Sequence, residues 1–534
     1  MKNNLYLGLD CSTQSMKAIV IDPVEGKTVA EASVNFGKDL PQYNCPEGYL
    51  ANADRLVKHA DPLLWLAALD LVLIRLRDGG CDMAAIAGIG GDGQQHGSVY
   101  LNAEWQKRVQ SLDPRLGLPA QINPALARTT SPIWMDSSTF TQCADLNAAF
   151  GRQIQTETGS SAIERFAGPQ IMLFSQTEPE LYAATQRIHL VSSFLCSVLI
   201  GGDAPIDFGD GAGMSLLNLK RGEWDRGITA FIDQRAEEAR ERSRVQTPVR
   251  PLVEKLPLLR KNGVAGKLCR YFTKYGLRAG IPVAIWTGDN PASLVGTGAW
   301  ASGVAVVSLG TSDTFFASMD AFRTDPDGCG HVFGNPAGGF MSLICFKNGS
   351  VSRDRVRTML DASWQFFDED AFALTPPGNE GRIALPWFEA EITPPRAETG
   401  LRANFDWAKV SPEVLVRAVV EGQALAIRHH SQWIGEFNTI RVTGGASKSV
   451  GIRQTLADVF QAKVERIALE NSAALGSAML AASSAAAESS LIGGATSLSA
   501  MTKVFTPVQD EVVARPETAA CYEKLLPQLT QLEN

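Results

Sequence analysis

Two segments of this chain share one grammar, and that internal repeat restricts the fold more than any single propensity does. The first is an apolar run, Leu5-Tyr-Leu-Gly-Leu-Asp10, a short polar turn over 11–15, and a second apolar run over 16–22. The second is Val304-Ala-Val-Val-Ser-Leu309, a turn Gly310-Thr-Ser-Asp313, and a return over 314–319. Each reads as a β-hairpin reversing through Gly, Ser and Thr. Short hydroxyls and exposed backbone N–H groups in such a turn can hold a phosphate. For either copy alone a turn without a ligand is the plainer reading, and the repetition shifts the balance toward a shared purpose.

A third segment has a related form: a strand over 439–443, the turn Gly444-Gly-Ala-Ser-Lys-Ser449, and a helix over 450–461. Paired glycines let another surface approach the backbone closely, as the adenosine part of a nucleotide requires, although glycines also simply end strands. Apolar periodicity predicts helices over 61–77, 412–433, 471–487 and 516–532, and a core helix over 189–200. The stretch 471–487 is rich in Ala and Ser, which permits close packing, and the small-residue tract that follows is expected to close in a loop at Gly493-Gly494.

At 534 residues the chain exceeds the roughly 250–300 at which one core divides. A loop over 277–282 leading into a strand over 283–286 suggests a division into domains 1–284 and 285–534. The net charge of -8, from 49 basic and 57 acidic residues, gives no electrostatic footprint for nucleic acid. The mixed-sign run 234–250, interrupted by Glu237, Glu238 and Glu241, reads as a solvated helix face. No apolar run reaches the ~20 residues of a membrane span, and the N-terminus leads directly into a strand, so a cytoplasmic chain is expected. Nine cysteines without a CxxC pair fit a reduced compartment. His429-His430 has no Cys or acid near it in sequence, so no metal is assigned there.

Gly88-Ile-Gly-Gly-Asp-Gly93 matches the dinucleotide fingerprint formally, but it leads through Gln94-Gln-His-Gly97 into another strand rather than a helix, so a Rossmann site is excluded. His96, beside two glutamines in a glycine-flanked turn, suits a polyhydroxylated ligand and equally a purely structural turn. Asp289 ends an apolar strand ahead of Asn290, Pro291 and a small-residue helix over 292–301. Locally it reads as a helix cap, or alternatively as the general base that phosphoryl transfer to a hydroxyl requires.

Taken together, the chain resembles the FGGY carbohydrate kinases over nearly its whole length. The resemblance is carried by Gly8-Leu-Asp-Cys-Ser-Thr-Gln14, Gly93-Gln-Gln-His-Gly-Ser98, Trp134-Met-Asp-Ser-Ser138, Glu164-Arg-Phe-Ala-Gly168, Thr287-Gly-Asp-Asn-Pro-Ala-Ser293, Ser308-Leu-Gly-Thr-Ser-Asp-Thr314, Cys345-Phe-Lys-Asn-Gly-Ser350 and Thr443-Gly-Gly-Ala-Ser447. It implies an α/β fold of two actin-like, ribonuclease-H-like ATPase domains with a central cleft. It further implies Mg2+ with ATP as co-substrate, and a sugar acceptor best matched by D-xylulose; the alternatives are the same reaction on another ketopentose, such as ribulose, or a polyol, and a non-catalytic actin-like nucleotide clamp.

On that basis Asp10, Thr13 and the turn Gly310, Thr311 and Ser312 would hold the phosphates, with Asp10 also serving Mg2+. Gly444, Gly445 and Lys448 would border the rest of the nucleotide. His96, Arg165, Asp289 and Asn290 would contact the sugar, with Asp289 taking the hydroxyl proton. A monomer or homodimer is expected. Many family members carry a lysine a few residues after the glycine matching Gly168, where this chain has Met172-Leu173.

Overall fold

The computed structural model describes residues 4–488 and 494–534. Gly493, part of the expected loop, lies outside them. Two compact units are present, Met1–Gly298 with Phe333–Gly339 and Asn471–Phe505, and Ala299–Val332 with Phe340–Glu470 and Thr506–Asn534.

In the first unit, Leu5–Cys11, Ser15–Asp22 and Lys27–Asn35 form an antiparallel meander. Ile86–Gly93 then pairs parallel to Leu5–Cys11, and Pro282–Ala284 and Thr287–Gly288 pair parallel to Ile86–Gly93. Every residue of Leu5–Cys11 is buried, as a strand covered on both faces requires. The covering element on one face is the helix Ser472–Glu488. A Cβ on Gly8 would lie 2.0 Å from the Ala474 carbonyl oxygen, and one on Gly90 would lie 2.2 Å from that of Ser477. Small residues on both sides allow this backbone approach, which explains the Ala- and Ser-rich composition of the helix.

The second unit repeats the plan. Val304–Leu309, Asp313–Met319 and Phe340–Phe346 form the meander, and Thr439–Thr443 and Lys463–Ile467 continue it in parallel. Val508–Val512 closes the edge antiparallel. The two expected hairpins and the glycine turn before the helix Val450–Phe460 are therefore present.

Several local expectations are corrected. His189 lies in the strand Arg187–Leu190, paired with Val99, and the core helix begins at Val191. The Ser193 hydroxyl accepts from the Leu190 N–H at 3.1 Å, which sets that start. The helix carrying Asp289 spans Asp289–Gly296 rather than extending to 301, because Gly298 takes a left-handed φ of 72° and donates back to the Val295 carbonyl at 2.9 Å. The mixed-sign helix spans Arg226–Arg242. All nine cysteines are free. Among the described residues no helix is long and apolar enough to cross a membrane.

Candidate active site

In open α/β sheets, ligands bind beyond the carboxyl ends of the parallel strands. In the first unit that edge collects acids. Asp10 is opposite Asp92 in the ladder between their strands, and Asp92 is in turn opposite Thr287. Two residues further on, Asp289 is the first residue of its helix. The N-cap position belongs to Gly288, so the aspartate is not the cap. Its Oδ1 instead accepts from the Asn290 N–H at 2.8 Å.

The charge that answers these carboxyls is Lys17, opposite Asp10 in the hairpin ladder, and its pull on Asp10 is weaker than the effect of burial. Ser477 Oγ donates to Asp92 Oδ2 at 2.6 Å, while Asp92 Oδ1 and Asp10 Oδ1 are buried without a hydrogen-bond partner among the described residues. Burial pushes both acids upward, Asp92 well above the carboxylate range, with the neighbouring Asp10 charge adding to it. Asp289 retains some exposed surface. The surrounding protein and, second, the Asp10 charge nonetheless push it up to about 7, against the pull of backbone donors from Asn290 and Gln95. A carboxyl poised near neutrality is suited to accepting a proton at physiological pH.

Gln95 links this group to the His96 turn. Its Oε1 accepts from Asn290 Nδ2 at 2.9 Å, and its Nε2 donates to the Gly209 carbonyl at 3.3 Å. His96 has a left-handed φ of 73°, uncommon for a residue with a side chain. Its Nδ1 lies 2.9 Å from the Gly213 carbonyl. A carbonyl only accepts, so Nδ1 carries a proton, and in the neutral ring Nε2 is then the acceptor nitrogen. The ring stacks on Phe166 at 4.5 Å between centroids, and the half-buried Arg165 guanidinium lies 5.8 Å from the same Phe166 ring. The four expected sugar residues thus fall into two connected pairs, Asp289 with Asn290 and His96 with Arg165, joined through Gln95 and Phe166. Thr13 lies in the first hairpin turn, where its hydroxyl accepts from the Trp134 indole at 2.7 Å.

In the second unit the turn Gly310, Thr311, Ser312 is held from behind. The Ser350 N–H donates to the Gly310 carbonyl at 2.9 Å, and a Cβ on Gly349 would lie 2.7 Å from the Asp313 nitrogen. Thr311 is exposed. Asp313, at the end of the turn, is paired by both nitrogens of the Arg353 fork at 2.6 and 2.8 Å. Gly444 takes a φ of 85°, and a Cβ there would lie 2.4 Å from the Leu309 carbonyl oxygen, so only glycine fits. Gly445 and Lys448 follow it, exposed, in a 3-10 turn. A cavity of about 400 Å3 opens beside the next helix, lined by Phe372, Val450 and Gly451 among others.

The FGGY carbohydrate kinase N-terminal domain model matches residues 129–296 and the C-terminal domain model matches 305–485. The chain is 38% identical to a xylulose kinase of Rattus norvegicus, over 99% of this chain and 96% of that one. It is 35% identical to xylulose kinase 2 of Arabidopsis thaliana, over 90% and 87%. This chain belongs to the FGGY family of carbohydrate kinases. A crystal structure of a xylulose kinase from Rhodospirillum rubrum superimposes with a TM-score of 0.79 at 20% identity, covering 99% of this chain and 98% of that one, which identifies the two-domain actin-like fold.

Within this FGGY kinase several residues at the site were not singled out by sequence. Asp92 lay inside the glycine run set aside as a failed Rossmann motif. Gln95 was legible only as one of two glutamines beside His96. Asp207 and Asp210 carried no signal at all. The absence of an acid near His429-His430 in sequence is also corrected in space. Glu533 of the last helix reaches His430 Nε2 at 3.1 Å, and the ligand atoms of all three residues lie within 4.8 Å of one another.

Proposed function

We propose that this sugar kinase transfers the γ-phosphoryl group of ATP to the terminal hydroxyl of D-xylulose, giving D-xylulose 5-phosphate and ADP. The observation that carries the reading is the carboxyl of Asp289, raised to about 7 at a strand end beside Asn290 and linked to His96. Near-full-length likeness to xylulose kinases supports the choice of sugar.

Phosphoryl transfer proceeds through a loose transition state, so the protein's part is mostly positioning, together with a proton acceptor for the attacking hydroxyl. Asp289 accepts that proton. Asn290 holds its Oδ1 and the neighbouring Gln95, while His96 offers Nε2 as an acceptor to another sugar hydroxyl. Arg165 supplies several donors at once, which suits vicinal hydroxyls as well as anions. In the second unit the Gly310, Thr311, Ser312 turn presents N–H groups to phosphate oxygens, and Gly444, Gly445 and Lys448 border the nucleoside. The unpartnered, buried Asp10 Oδ1 is a hard oxygen donor that fits a Mg2+ ion accompanying ATP, which when bound neutralises phosphate charge. Thr13, in the first hairpin turn beyond Asp10, would hold the phosphates from that side.

The test is ADP formation with ATP and a panel of D-xylulose, D-ribulose, L-ribulose and five-carbon polyols. D-xylulose is expected to give the highest kcat/KM by at least roughly tenfold, on the scale of one or two hydrogen bonds left unmade by a competitor. Equal use of another ketopentose or polyol removes the D-xylulose assignment and leaves the kinase reading intact.

A further inference from the structure

The segment 207–213 touches both halves of the sugar group although it contributes no side chain to it. Its anchor is Asp207, 2% exposed, in an acid-rich run that the mechanism above does not use. Asp207 Oδ1 accepts from the Asp210 N–H at 2.7 Å, and Oδ2 accepts from the Gly209 N–H at 3.0 Å. The same Oδ2 accepts from the Thr287 hydroxyl at 2.6 Å. Thr287 is fixed laterally by its ladder position opposite Asp92, and it lies two residues before Asp289. One carboxylate therefore ties a short helix, Phe208–Gly211, to the strand end that delivers Asp289.

The glycines of the segment are required by this closeness. A Cβ on Gly209 would lie 2.5 Å from Thr287 Oγ1 and 3.0 Å from the Pro291 Cβ, and one on Gly213 would lie 2.5 Å from His96 Nδ1. Gly209 also offers its carbonyl to Gln95, whose Oε1 holds Asn290. The strand end before Asp289 is thus gripped at Thr287 from one side and, through Asn290 and Gln95, from the other, and both grips end on the same turn of backbone. Asp210 has a separate partner in the Ser192 hydroxyl of the core helix, which anchors that turn to the body of the unit.

We infer that Asp207 is a positioning residue for Asp289, acting through the Thr287 hydroxyl. The inference rests on the reading of Asp289 as the base. An error of about 1 Å in a reacting group can cost roughly 100-fold in rate, so loss of one buried tether at this distance is expected to lower turnover without abolishing it.

The experiment measures kcat, KM for sugar, KM for ATP and melting temperature for Asp207→Asn, Thr287→Val, Thr287→Ser and their combination Asp207→Asn with Thr287→Val, with Asp289→Asn as reference. Thr287→Val keeps the shape of the side chain and removes the donor, which guards against Asp207→Asn failing to fold. Thr287→Val is expected to lower kcat roughly 10- to 100-fold with KM for ATP within about threefold, and Thr287→Ser to restore it to within about threefold. The double variant should be no slower than the slower single variant, because both changes cut one tether. A folded Thr287→Val with unaltered kcat, beside an inactive Asp289→Asn, overturns the positioning role alone. Near-normal turnover of Asp289→Asn overturns the base reading on which it rests.

Discussion

The two hairpin turns of this kinase are built alike and treat negative charge in opposite ways. In the second unit Asp313 ends the turn against the Arg353 fork, and both side chains are 3% exposed. In the first, Asp10 stands beside Asp92, with Asp289 near by, and Lys17, opposite Asp10 in the ladder, offsets only part of the cost of burying them. The second arrangement is a closed structural pair that stiffens the turn and, on the proposed reading, leaves its backbone groups to bind phosphate. The first keeps one buried oxygen each of Asp10 and Asp92 without a hydrogen-bond partner among the described residues, a state that costs stability and persists where the charge or the proton has a use. The shared hairpin grammar therefore supplies geometry, while the neighbouring strands decide which turn is reactive.

The largest expected effect breaks the reactive side. Asp289→Asn should lower kcat roughly 100- to 10,000-fold, the usual range for a general base, with sugar and ATP affinities by calorimetry close to those of the unaltered enzyme. It should leave the melting temperature close to that of the unaltered enzyme, since the amide oxygen of Asn can still accept from the Asn290 N–H and side-chain amide. The pH profile sharpens the point. As the proposed base Asp289 would work in its ionised form, and burial raises its proton affinity, so activity should fall on the acid side: kcat/KM for the sugar should decline about tenfold per unit below about 7 and level off above it. A plateau extending down to about pH 5 would show that no essential base titrates near 7 and would remove Asp289 from that role.

Breaking the closed pair should give the reverse outcome, lost stability first. Arg353→Met strands Asp313 in the interior, and removing one partner of a buried pair costs roughly 3–5 kcal/mol, measurable by urea unfolding. Adding Asp313→Leu should recover most of that loss, because the pair as a whole is replaced by apolar packing. If the double variant remained as unstable as the single one, the pair would have to be contributing through Gln423 and Ser350, which Arg353 also reaches, at 3.1 and 2.9 Å.

How much of this was legible in the sequence depends on the distance over which each feature is determined. The hairpins and the Gly444-Gly445 turn are local, set by strand periodicity and by residues that tolerate tight turns, and the sequence places the hairpin strands within a residue of their observed bounds. The helix after Asp289 was read too long because small residues carry no stop signal until Gly298 turns left-handed. The same local view leaves Asp289 balanced between cap and base; the N-cap falling on Gly288 removes the first reading, and the second stands as the proposal. Asp207 meets Thr287 across 80 positions and Glu533 meets His430 across 103, contacts made by chain topology and invisible to any window of sequence. Asp92 differs again. It was in plain view between glycines, and the motif test it failed asked about a helix when the relevant neighbour was the adjacent strand.

The smallest effect tests whether the second unit binds through main-chain groups, as its neutral turn implies. Lys448 is exposed on the 3-10 turn after Gly444, so its charge is largely screened by water and salt. Lys448→Ala should raise KM for ATP only about two- to fivefold at low ionic strength, and the difference should fade by about 0.5 M salt, where the Debye length falls to roughly 4 Å. A rise above about 30-fold that persists in high salt would mean the ammonium becomes buried against the nucleotide. The second unit would then depend on a side-chain charge much as the first does, and the contrast between the two turns would narrow to Asp313 and its arginine.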